Sequence, residues 1–237
     1  MIKQVHSFLF KNTGLRQTVL KNAFWLFSGQ TGGRAIRAII VIYAARVLGT
    51  AGFGIASYAL SLTAFFLIIA DMGISSLLTK YAAQNPDERE RYFATFFVLK
   101  CALIGASFAM ILIIGPFIGN IPEAVALLPL AGLVLVFDSL REFALAMVRA
   151  REKMEYEATL SIITNITTVT LSLIFLTIHT TPQALLIGYA MGSGIGLVLA
   201  LWALRGYLKK TITHFDKALI RPLVSQALPL DMTAFLG

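Results

Sequence analysis

The chain has 237 residues, of which 57% are hydrophobic and 14% charged, and its 20 Lys and Arg outnumber 12 Asp and Glu to give a formal net charge of +8. So apolar a composition excludes a soluble globular domain, whose helices would interrupt each apolar run with a polar face. A single cysteine, Cys101, excludes a disulfide framework and cannot build a cysteine-based metal centre by itself.

In chain order, residues 1–21 form a basic segment carrying Lys3, Lys11, Arg16 and Lys21. Six apolar stretches follow: Asn22 to Leu48, Phe53 to Lys80, Tyr92 to Gly115, Ala124 to Val148, Tyr156 to Ile178 and Gln183 to Leu208. Each reaches the roughly 20 residues that an α-helix needs to cross about 30 Å of hydrocarbon. The expected fold is therefore all-α: a polytopic membrane protein whose residues 22–208 make a lobe of six transmembrane helices. Residues 209–221 read as a connector, and residues 222–237 as the start of a seventh transmembrane helix left incomplete by so short an apolar run.

The connections alternate between basic and nearly charge-free. Lys80, Arg89 and Arg91 lie between the second and third spans, Arg149, Arg151 and Lys153 between the fourth and fifth, and Arg205, Lys209, Lys210, Lys217 and Arg221 after the sixth. With the four at the N-terminus these are 15 of the 20 cationic residues, all on one side, whereas the opposite loops offer only Arg46. The bias predicts a cytoplasmic N-terminus in a multi-pass protein of the cytoplasmic membrane. It also accounts for the net charge without any nucleic acid, and it suits anionic lipid headgroups as membrane partners.

The loops are too short for a soluble catalytic domain, and His6, His179 and His214 are dispersed, so neither a metal centre nor a nucleophile-base pair is expected. No phosphate-cradling loop occurs, and no cofactor is implied. Gly188, Gly192 and Gly196 recur every four residues inside a span, where they would let another helix approach closely. The Asn165-Ile166-Thr167 triplet has the form of a glycosylation acceptor but lies within the membrane.

The remaining signal is polar material inside the spans. Gln30, Arg34 and Arg37 fall at i, i+4 and i+7 on one face of the first helix. An arginine near the midplane costs about 2.5 to 3.5 kcal/mol on insertion scales, so the face should meet a wet cavity, or be paired with Asp71 and Asp138. On the fourth helix Asp138, Arg141 and Glu142 share a face near the cytoplasmic end, as a gate or as a self-neutralising cluster. Lys100 lies within snorkelling reach of the inner surface. Ser161, Thr164, Asn165, Thr168 and Ser172 form a polar stripe on the fifth helix, suited equally to interhelical contact and to the wall of a passage.

The segment from Ala44 to Gln84 resembles a known family. Ala45-Arg46 followed by Leu48-Gly49, then Phe53-Gly54 opening the next span and Asp71-Met72-Gly73-Ile74 late in it, look like the first loop and second helix of the oligosaccharide flippases. These are the polysaccharide-export members of the multidrug/oligosaccharidyl-lipid/polysaccharide transporters. The resemblance implies one lobe of a two-lobed, alternating-access transporter, not an enzyme, that moves a polyprenyl-pyrophosphate-linked oligosaccharide. Its implied partners are that lipid, a C-terminal lobe or second half-transporter, and a polysaccharide polymerase. In that setting Arg34, Arg37, Gln30, Asn165 and Thr168 are the expected substrate-binding residues, and Asp71, Asp138 and Arg141 the gating or coupling residues. Paired guanidinium groups suit a pyrophosphate on chemical grounds alone, since their donor forks match its oxygens. A multidrug exporter of the same fold, a membrane transferase and a scaffold docking through the Gly188, Gly192 and Gly196 face are the alternatives.

Overall fold

A computed structural model describes residues 15–118 and 121–205, so the connector and seventh helix expected over 209–237 lie outside the described residues. These residues are almost wholly helical: α1 (Leu15–Asp71), α2 (Ile74–Gln84), a 3₁₀ turn (Pro86–Glu88), α3 (Arg89–Ile118), the short α4 (Pro122–Val125), α5 (Leu128–Ala150), α6 (Met154–Ile178) and α7 (Pro182–Ala203).

Helix α1 is two helices in one. At Gly49 the backbone takes φ 67° and ψ −177°, a region open essentially to glycine alone, and the chain reverses there. Ile40, Val41 and Ala44 before the turn and Phe53, Ser57, Leu60, Ser61 and Ala64 after it line one cavity, so the two arms lie side by side. Gly49 makes the turn with positive φ, whereas Gly52 and Gly54, just beyond it, are already helical.

The second predicted span, Phe53 to Lys80, is not continuous. Met72 at φ 39° and Gly73 at φ 72° break it, separating the second arm of α1 from α2. Hydropathy cannot register such a break, because it is written in two dihedral angles and not in composition. The fourth predicted span is likewise divided, into α4 and α5, and the first helix begins at Leu15, ahead of the Asn22 expected from sequence.

Among the described residues four segments are long and apolar enough to cross a membrane: Gln17–Asp71, Pro86–Ile118, Met154–Ile178 and Pro182–Ala203. Helix α5 is kept out of this group by the charges of Asp138, Arg141 and Glu142 rather than by its length of 23 residues. Large apolar side chains point outward, among them Phe27, Ile42, Phe65, Phe117, Val198 and Trp202. That is the expected surface of a chain whose solvent is lipid.

Inside, two apolar cores are stacked along the helices. One gathers Ala70 of α1, Ile104 of α3 and Leu135 of α5; the other gathers Ile74 of α2, Phe96 of α3 and Phe143 of α5. Between them, on each element in turn, comes a polar residue: Asp71, Lys100 and Ser139. Helices α6 and α7 are clamped more tightly. A Cβ built on Gly196 would meet Thr164 Cγ2 at 2.5 Å, one on Gly188 would meet Ser172 Oγ at 2.6 Å, and Gly192 lies against Thr168 in the same way. The three glycines admit α6 within this chain, so they are no docking surface for another protein.

Candidate functional site

The first helix presents Gln30, Arg34 and Arg37 on an exposed face, as their spacing requires. Arg37 is held from α6. Its Nε and Nη2 donate to Asn165 Oδ1 at 3.2 and 2.9 Å, while Asn165 Nδ2 donates to the carbonyl of Ser161 at 2.8 Å. Asn165 can sit this close because Gly33 faces it: a Cβ there would meet Asn165 Nδ2 at 2.6 Å. Only one edge of the Arg37 guanidinium is engaged by a single amide oxygen, so the fork keeps donors for an external acceptor. Arg34, one turn nearer the N-terminus, has no protein partner among the described residues.

Neither arginine pairs with Asp71 or Asp138. Those carboxylates have nearer cations, Lys100 and Arg141 respectively. The polar stripe on α6 is divided by its surroundings: Asn165 turns toward Arg37, whereas Thr164, Thr168 and Ser172 turn into the glycine face of α7. Thr168, expected among the substrate residues, is buried in that helix contact and away from the arginine face.

Immediately beyond Arg37 on the same helix, Ile40, Val41 and Ala44 form part of an apolar cavity of about 340 Å³, completed by Phe53, Leu60, Leu185 and Tyr189 among others. Tyr189 lies within the electrostatic reach of both Arg37 and Asp138. A cationic fork thus adjoins an apolar recess.

A second constellation occupies the layer between the two cores. Lys100, predicted to snorkel, is instead wholly buried and forms an ion pair with Asp71. Ser75 Oγ donates to the same Asp71 Oδ1 at 2.5 Å. A cavity of about 310 Å³ adjoins them, lined by Leu67, Ile68, Asp71, Lys100, Ser139 and Glu142. From Glu142 the charges continue: Arg149 Nη2 donates to Glu142 Oε1 at 2.6 Å and its Nη1 to Glu157 Oε1 at 2.7 Å, while Arg141 lies 3.5 Å from Asp138. At the end of the first helix opposite Gly49, Lys21 is buried and pairs with Glu155 at 3.4 Å, so it is a tether between helices and not part of a free basic tail.

Sequence reasoning missed the roles of Lys100, Arg149 and Glu157. A lysine eight residues inside a span was a signal, but its partner stands 29 residues away on another element. Among the described residues no group of three or more His, Cys, Asp or Glu side chains gathers in a way that would hold a metal ion.

A family model described as polysaccharide biosynthesis protein matches residues 19–237 of the chain. No curated protein and no solved structure matches it.

Proposed function

The chain belongs to the polysaccharide biosynthesis protein family, and on that premise we propose that it is the N-terminal lobe of a flippase that carries a polyprenyl-pyrophosphate-linked oligosaccharide across the bacterial cytoplasmic membrane. The carrying observation is the exposed Gln30, Arg34 and Arg37 face, with Arg37 aimed by Asn165. Exposed arginines on a membrane span are expensive against lipid, so this face turns toward a wet cavity shared with a second lobe. There the free donors of Arg34 and Arg37 grip the pyrophosphate, and Gln30 adds a neutral donor toward the first sugars. The anion preference disfavours a multidrug exporter of cations.

The lobe crosses the membrane six times in this reading, because α1 counts twice about Gly49 and α5 crosses with its charges turned inward. The N-terminus is cytoplasmic. Asp71, Asp138 and Arg141 are paired within the lobe and not with Arg34 or Arg37, and they act in gating or coupling, since an unpaired carboxylate at the headgroup site would repel the substrate. No chemical step on the glycan is assigned to the chain.

The test is export in cells. Alanine at both Arg34 and Arg37 in the chromosomal copy should abolish surface polysaccharide and build up its lipid-linked precursor on the cytoplasmic face, with the protein still inserted. Normal export from the double variant would reduce both arginines to structural charges.

A further inference from the structure

We propose that the apolar recess beside Arg37 seats the first isoprene units of a polyprenyl pyrophosphate and selects that chain over a straight acyl chain. The inference rests on the headgroup assignment of Arg34 and Arg37 and adds the lipid end of the same ligand. Gln30, Arg34, Arg37, Val41 and Ala44 succeed one another at intervals of four and three residues, so they form one stripe along the first arm of α1. The stripe changes character after Arg37. Its polar half carries the guanidinium fork held by Asn165, and its apolar half forms one wall of a cavity of about 340 Å³. Val41 stands one turn from Arg37, about 6 Å along the helix axis. An amphiphile whose anion lies on the fork places its first chain carbons at the mouth of the recess.

The walls of the recess favour a branched chain. Ile40, Ala44 and Leu185 are buried at its floor, whereas Val41, Ser61 and Ala64 are exposed at its rim. The small side chains of Ala44, Ser57, Ser61 and Ala64 leave hollows between the bulkier Phe53, Leu60 and Tyr189. A methyl branch fills such hollows where an unbranched chain leaves them partly empty, and unfilled apolar space forfeits dispersion contacts. A polyprenyl chain also carries a fixed double bond in every isoprene unit, so it has fewer torsions to immobilise than a saturated chain of equal length. Open toward a wet cavity, this apolar surface would be hydrated at a cost, and a seated chain removes it from water. Tyr189 joins the two halves of the site, since it lines the recess and lies within electrostatic reach of Arg37.

The test needs no glycan. The whole chain in phosphatidylcholine nanodiscs is dialysed to equilibrium against radiolabelled inorganic pyrophosphate, farnesyl pyrophosphate or dodecyl pyrophosphate, with uptake by empty nanodiscs subtracted. Farnesyl and dodecyl chains have the same main-chain length and differ only in methyl branches and double bonds. Expected is farnesyl pyrophosphate bound at least about tenfold more tightly than dodecyl pyrophosphate, the order of effect that the extra buried methyl groups supply. Ala64→Phe and Ser61→Phe, both at the exposed rim, fill the recess and should each remove that preference, with inorganic pyrophosphate bound as before. Arg37→Ala should weaken all three probes. Equal affinity for the farnesyl and dodecyl probes in the unaltered chain overturns the proposal, as does a preference that survives both phenylalanine substitutions or one lost only together with inorganic pyrophosphate binding in both. Displacement of farnesyl pyrophosphate by an equal concentration of phosphatidic acid assigns the recess to bilayer lipid and overturns it too. A farnesyl preference removed by the rim substitutions while Arg37→Ala leaves every probe unchanged would fail the headgroup assignment and keep the recess, so the two failures are distinguishable.

Discussion

At the scale of single residues, what distinguishes the chain's intramembrane charges is how each is neutralised. Arg37 meets only the neutral Asn165 oxygen, so its full charge is offered outward; Lys100 is buried against Asp71 and offers none. The two should therefore respond differently to substitution. Arg37→Ala removes a charge-assisted contact of about 1.5 to 3 kcal/mol, so binding of undecaprenyl pyrophosphate to the chain in nanodiscs should weaken by roughly ten- to hundredfold. Arg37→Lys should recover only part of this, because an ammonium cannot present the planar fork. Asn165→Leu should act in the same direction by freeing the guanidinium from its set orientation. Undiminished affinity in Arg37→Ala, measured against undecaprenol as the uncharged control, would sink the headgroup assignment. For Lys100 the expected readout is stability. Lys100→Met strands Asp71 beside an apolar core and should lower the melting temperature in detergent, whereas adding Asp71→Asn should restore much of it, since removing both partners is milder than removing one. A double variant as unstable as the single one would show that the pair is not the relevant interaction.

At the scale of elements, the chain is governed by where helices are allowed to break and how closely they meet. Gly49 occupies a backbone region that L-residues avoid, so Gly49→Ala should cost about 1 to 3 kcal/mol without removing any side-chain contact, read as a lower melting temperature. Gly52→Ala, in helical conformation, should cost less; equal losses would mean that crowding and not φ sets the turn. Likewise Gly192→Leu should force α7 off Thr168 and destabilise the lobe by at least about 1 to 3 kcal/mol through overpacking. This second effect was legible in the sequence, because a four-residue glycine repeat inside an apolar run has one geometrical use. The turn near residue 50 was legible from the gap between the apolar stretches that end at Leu48 and begin at Phe53, but not which of Gly49, Gly52 and Gly54 makes it, since all three can adopt positive φ. The break at Met72 was not legible, for methionine gives no warning of a left-handed dihedral. Nor were the pairings of Arg37 with Asn165 and Lys100 with Asp71, which join residues remote in sequence; periodicity reports the face of one helix and is silent on which helix meets it.

At the scale of the whole molecule, the layered interior and the loop charges make one linked argument about orientation. The lower core, built from Phe93, Phe96, Phe143 and Ala150, adjoins the connections that carry Arg89, Arg91, Arg151 and Lys153, whereas the upper core adjoins the turns at Gly49 and at Thr180 and Thr181. Cationic loops are retained on the cytoplasmic side during insertion, so the proposed orientation puts the charge layer at Asp71, Lys100 and Glu142 in the cytoplasmic half and the Gly49 turn outside. Surface labelling checks this directly. Cys101 is exposed in its helix and must first be replaced by Ala or Ser to remove its background. In that background Thr180→Cys, in the loop between α6 and α7, should react with a membrane-impermeant maleimide added to intact cells, while Asn85→Cys and Lys153→Cys should react only after the membrane is opened. Each position lies at a helix end, where a label need not enter the lobe to react. The reverse pattern would turn the molecule over and put the carboxylate layer in the outer half. A cytoplasmic gate at Asp71, Asp138 and Arg141 would then fall with the orientation, while the pairing of Arg37 with Asn165, which depends on local contacts alone, would stand.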